Sequence, residues 1–91
     1  MMRPRKLELG NQNIIGARVT QARLAAGLKQ VDLLRQLHLH GISISAPALS
    51  LLEGQKRPVW DFEVVALADI LDVSVEWLLG IERDANSNKQ R

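Results

Sequence analysis

Leu49-Ser50-Leu51-Leu52-Glu53-Gly54-Gln55-Lys56-Arg57-Pro58 is the stretch on which the fold turns. Its first half is a short apolar-rich segment, Gly54 is a natural helix-ending residue, and Gln55 to Pro58 form a basic loop. Just upstream, Ser45-Ala46-Pro47 supplies a beginning. The Ser45 hydroxyl can cap a helix, and Pro47 is tolerated in a first turn because its missing N–H has no partner there. The spacing predicts a helix over Ala46–Glu53.

Working outward, the same signals recur. Asn13 is placed to cap a helix in which Ile15, Val19, Ala22 and Ala26 follow at three- and four-residue steps before Gly27. Val31, Leu33, Leu34 and Leu37 predict a second helix from about Lys29 to Leu39. Between it and Ser45, residues 38–45 alternate apolar and polar like a strand. A lone strand leaves its backbone groups unpaired, so the expectation is an extended turn. Downstream, Val64, Leu67, Ala68 and Leu71 form the stripe of a helix over Asp61–Leu71, with Asp61 and Glu63 suiting its positive start. Ser74 caps a short last helix, Val75–Leu79, which Gly80 ends. The architecture expected is all-α, with five helices. Residues 1–12 read as a basic flexible arm, 13–81 as one domain and 82–91, which lack apolar periodicity, as a disordered tail.

Composition agrees. In 91 residues, 46% are hydrophobic and only 3% aromatic, so the core must be aliphatic, which favours packed helices. No cysteine is present, excluding disulfides and thiolate zinc sites and fitting a reducing compartment. The basic start lacks a following signal-peptide core, and no apolar run approaches the ~20 residues of a membrane span, so a cytoplasmic location is expected. The net charge of +2 is unevenly spread: residues 1–30 carry six Lys/Arg against one Glu, and residues 61–91 carry three against seven acids. A basic amino half suits a polyanion, although ordinary solubility explains such a distribution equally well.

Arg23 four residues before Gly27, Gln30 at a helix start, the 49–58 stretch and the closing Val73-Ser74-Val75-Glu76-Trp77-Leu78-Leu79-Gly80 occur in an order that resembles the Xre/Cro family of phage-repressor-like helix-turn-helix transcriptional regulators. The likeness covers about two thirds of the chain. It implies a compact five-helix DNA-binding domain whose second and third helices form the helix-turn-helix, with the third at the major groove of duplex DNA, bound as a homodimer on an inverted repeat. It also implies an ion pair between Arg23 and Glu53. Gln30 becomes a phosphate contact, the alternative being a plain surface glutamine, and Lys29, Lys56 and Arg57 become counterion-displacing contacts where they are not simply solvated. The base-reading positions fall on Ala46, Pro47 and Leu51, with Ser50 beside them.

Several residues depart from the family pattern. None of Ala46, Pro47 and Leu51 has a side-chain donor or acceptor, so direct readout is expected to be weak and limited to thymine methyls and Ser50. Specificity then falls to DNA shape and to Arg3, Arg5 and Lys6 entering a minor groove, unless that arm is only an unstructured end. The competing function is a protein-interaction module, adaptor- or antitoxin-like, using the apolar face of the third helix. Lys29 stands where a capping Ser or Thr is usual, Asp72 where Gly is common, and Leu34 where a small Ala is usual. The bulk of Leu34 is expected to spread the second and third helices, with a turn about five residues longer than the simplest motif accommodating the shift.

Trp77, Leu78 and Ile81 are dimer candidates, with core packing the alternative for Trp77. Trp60 either anchors its loop or stacks on a sugar or base. His38 and His40 lack cysteine or carboxylate neighbours at ligand spacing, so no metal is expected and both are read as solvated. No nucleophile–base set, phosphate loop or paired carboxylates support catalysis. The expectation is a non-enzyme without cofactor, small-molecule ligand or separate sensing domain.

Overall fold

The first helix, α1, spans Gly16–Ala25, and a computed structural model describes the chain over residues 12–81. The remaining helices are α2 (Gln30–Leu39), α3 (Ala46–Glu53), α4 (Asp61–Leu71) and α5 (Val75–Leu79). No strand occurs among the described residues, and no described helix is long and apolar enough to cross a membrane. Arg3, Arg5, Lys6 and the 82–91 segment lie outside the described residues.

Each helix contributes one buried stripe. Ile15 and Val19 from the α1 region, Leu33 and Leu37 from α2, Leu49 and Leu52 from α3, Leu67 from α4 and Leu78 from α5 are the largest fully buried side chains. Each contributes roughly 1.5–3 kcal/mol of transfer free energy on burial. α3 packs against both α1 and α2, and α4 packs against α1, α2 and α5. Ala26, read from its spacing as part of the first stripe, instead lies beyond the end of α1 and is exposed.

The helix starts are capped in two ways. Ser45 and Ser74 accept backbone N–H groups from Ala48 and Trp77 at 3.2 and 2.9 Å. At α2 and α4 the bond runs in the other direction: Asp32 and Glu63 accept from the backbone N–H of Lys29 and Trp60 at 2.8 and 3.0 Å. The Lys29 position is therefore better closed than a missing Ser or Thr suggests, because the acidic residue three positions on supplies the acceptor. Asn13 does not stand next to the helix, which begins at Gly16. Its Oδ1 nevertheless receives the N–H groups of Ile15 and Gly16 at 2.9 and 2.8 Å.

The helix ends share one device, a left-handed residue flanked by backward N–H bonds. After α2, Gly41 (φ 82°) occupies that place, with Ile42 N–H bonded to Leu37 O at 2.9 Å. After α3 the helix stops at Gly54 as expected, but the left-handed conformation falls one residue later. Gly54 has an ordinary φ of −83°, and Gln55 (φ 62°) takes the left-handed conformation. Asp72 (φ 58°) does the same after α4.

The His40–Ser45 connector is irregular and partly internal. Ile42 and Ile44 enter the core while Ser43 stays exposed, so the alternation seen in the sequence is real but serves burial without strand pairing. His38 Nε2 donates to Ile44 O at 2.8 Å. His40 is also engaged, its Nδ1 3.0 Å from Gln36 O and its Nε2 2.9 Å from Asp69 Oδ2. Both residues are exposed, as read from the sequence, and their rings also fasten the connector, His38 to α2 and His40 to α4.

Candidate nucleic-acid interface

Glu53, the last residue of α3, is the hub of the region. Its carboxylate Oε2 accepts from Arg23 Nε at 2.8 Å, and Oε1 accepts from Arg23 Nη2 at 3.1 Å, Thr20 Oγ1 at 3.0 Å and Gln30 Nε2 at 3.0 Å. The two charged side chains are 12% and 6% exposed, so the fork-to-carboxylate pair works largely out of water. Arg23 spends a further N–H on Leu28 O at 2.9 Å. No buried side-chain polar atom among the described residues lacks a partner.

Gln30 extends this network across the surface. While its Nε2 donates to Glu53, its Oε1 accepts the Ser50 hydroxyl at 3.0 Å. The amide thereby joins the first residue of α2 to both ends of one α3 turn, and it is less available as a phosphate donor than its place at a helix start implies. One amide hydrogen is left over after the Glu53 bond.

On α3, Leu49, Leu52 and Glu53 point inward. At 100° per residue Pro47, Ser50 and Leu51 turn away from these, Ala46 lies at the edge of that arc, and all four are exposed, Leu51 to 46%. Gln30, Val31 and Leu34 of α2 and Ala46 and Leu49 of α3 line a recess of about 230 Å³ beside this arc. Leu34 is half-buried there, and the helices remain bridged by Gln30 despite its bulk. Lys29 and Lys56 are exposed next to the two helix ends that meet at Gln30 and Glu53. Arg57 is not equivalent to them. Its Nη1 lies 3.3 Å from Glu63 Oε1, and its side chain is 21% exposed.

The base of α3 is held by contacts with little sequence signal. Asn13 Nδ2 donates to Leu52 O at 3.1 Å and Arg57 O at 2.8 Å, so one side chain caps α1 and ties down the end of α3. A Cβ on Gly16 would lie 2.3 Å from Leu52 O and 2.8 Å from Gln55 Cγ, so this approach needs glycine. Thr20 had a legible clue in its three-residue spacing from Arg23, which places both on one helix face. Gly16 and Gln55 had none, because their roles exist only once α1 and α3 meet.

Away from this region, Leu78 is 0% exposed and belongs to the core, which removes it as a dimer contact. Trp77 is half-buried, with the Arg18 guanidinium 5.0 Å from its ring centroid, and Ile81 is exposed. Trp60, Phe62 and Val65 leave a second apolar surface exposed at the start of α4. Among the described residues no group of three or more His, Cys, Asp or Glu could hold a metal ion. Comparisons with protein-family models, with curated proteins and with solved structures find no match to this chain.

Proposed function

We propose that this chain is a small transcriptional regulator of the Xre/Cro type that binds double-stranded DNA, with α2 and α3 as its helix-turn-helix and α3 at the major groove. The observation that carries the reading is the Arg23–Glu53–Gln30–Ser50 network, which fixes α3 against α1 and α2 while leaving Ala46, Pro47, Ser50 and Leu51 outward. A rigid, outward helix without an acidic side chain on its exposed arc, bordered by Lys29 and Lys56, suits a phosphate-lined groove. Arg57 steadies the adjoining loop through Glu63. Two copies bound as a two-fold homodimer match an inverted repeat, with Trp77 and Ile81 the remaining contacts of the α5 end. No catalytic step or cofactor belongs to this reading.

A second reading is favoured by one observation: Val31 is 51% exposed at an apolar recess, and Leu51 is 46% exposed elsewhere, on α3. Such a face suits a protein-interaction module. Gel shifts of the full chain with the DNA upstream of its own gene, at two salt concentrations and with random-sequence competitor, separate the two. Retention of that DNA against competitor supports the regulator. Loss of all binding at low salt removes it and leaves the interaction module.

A further inference from the structure

The outward arc of α3 has lost its side-chain hydrogen-bond donors in two steps. Ala46, Pro47 and Leu51 have no polar side-chain atoms, and the one polar residue among them, Ser50, gives its hydroxyl hydrogen to Gln30 Oε1 at 3.0 Å. Gln30 in turn is held by Glu53 at 3.0 Å. The side-chain donors that normally distinguish guanine and adenine in the major groove are therefore missing from this arc of α3 or spent inside the protein, one amide hydrogen of the neighbouring Gln30 excepted. What it offers is Leu51, the methyl of Ala46, the ring of Pro47 and the recess bounded by Val31, Leu34 and Leu49, with ample room for a methyl group.

Only one of the four bases presents an apolar group in the major groove, the 5-methyl of thymine. We infer that this chain selects duplex DNA by docking thymine 5-methyl groups on Leu51, Pro47, Ala46 and the Val31–Leu34 recess, not by hydrogen bonds to base edges. This inference rests on the duplex-binding reading above. Charge argues for a nucleic acid over an apolar peptide as the occupant. Lys29 and Lys56 border the face, and the Glu53 carboxylate is turned inward onto Arg23.

The test replaces thymine by uracil, which removes the methyl and keeps every base-edge donor and acceptor. The full chain is used to select duplexes from a random pool, and each selected duplex is resynthesised with uracil at every thymine and at single thymines. Affinity is expected to fall roughly fourfold for each contacted methyl, the losses multiplying across contacts, as the burial of one carbon predicts. In Leu51→Ala, whose helicity and melting temperature are checked in parallel, the thymine-to-uracil ratio should shrink towards one. A change caused by altered DNA shape would not depend on residue 51. Should Leu51→Ala fail to fold, Val31→Ala serves the same purpose on α2. Equal affinity of the natural chain for thymine and uracil duplexes overturns this inference while leaving DNA binding intact. Absence of any duplex binding at low salt overturns both.

Discussion

Gln30 Nε2 lies 3.0 Å from Glu53 Oε1, so the first side chain of α2 and the last of α3 share a carboxylate that Arg23 of α1 already grips at 2.8 Å. Three helices thus converge on one acidic group. Its charge is matched by one guanidinium and its lone pairs are taken by four donors, which makes the buried carboxylate tolerable and the geometry rigid.

Breaking that convergence from the arginine side should be costly. Arg23→Ala is expected to destabilise the fold by about 3–5 kcal/mol, because Glu53 is left charged and buried. The double variant Arg23→Ala with Glu53→Ala should lose clearly less than the sum of the two single changes. Urea unfolding of the four proteins measures the coupling, and strict additivity would show that the pair contributes nothing as a pair.

Gly16→Ala should destabilise by about 1–3 kcal/mol or more, since the added methyl meets the Leu52 carbonyl at 2.3 Å and the two helices have to part. Asp72→Gly should act in the opposite direction. The exposed Asp72 holds a φ of 58°, and glycine there relieves a strain of about 1 kcal/mol. Thermal melts of both variants against the natural chain decide the signs.

The His40 ring has an acceptor at each nitrogen, Gln36 O and Asp69 Oδ2, so only the doubly protonated imidazolium can donate to both. The hydrogen bond to Asp69 first, and that to Gln36 O next, raise its pKa from the ordinary 6.5. A raised folded-state value means that the bond's contribution is complete below pH 6.5 and is lost as pH climbs through the folded pKa. The melting temperature of the natural chain should therefore exceed that of His40→Gln by a margin that narrows on going from pH 6 to pH 8. A margin that widened would reverse the assignment.

Of the basic residues near α3, Lys56 and Arg57 should behave differently. Lys56→Ala should weaken binding to all duplexes and reduce the salt slope by about one unit, with no change in stability. Arg57→Ala should instead lower the melting temperature, because Glu63, whose side chain is 6% exposed, loses its cation. Binding isotherms at several salt concentrations, paired with melts, read both effects. An unchanged slope for Lys56→Ala removes it from the contact set.

The α3, α4 and α5 boundaries were legible because each carries local signals within a few residues: Ser45 and Pro47 at the start of α3, the Asp61 and Glu63 pair at α4, Ser74 and Gly80 around α5. The interior was legible wherever three- and four-residue spacing held, as at Ile15, Val19 and Ala22. Non-local chemistry was harder to read. The bond between Asn13 and Arg57 O, the His40–Asp69 contact and the internal use of Gln30 and Ser50 join residues far apart in the chain, and no local pattern encodes such partnerships. The left-handed Gln55 escaped notice because the adjacent Gly54 offered a cheaper candidate for the same conformation.

The two ends of α3 are secured unequally. Its carboxyl end is gripped through Glu53 by α1 and α2, whereas its amino end hangs from a tether pinned by Ile42, Ile44 and the His38 ring. Extra residues spliced in at the exposed Ser43 would lengthen the tether and leave the gripped end in register. Deletions would drag an isoleucine out of its seat. The tether can thus grow by insertion yet resists trimming.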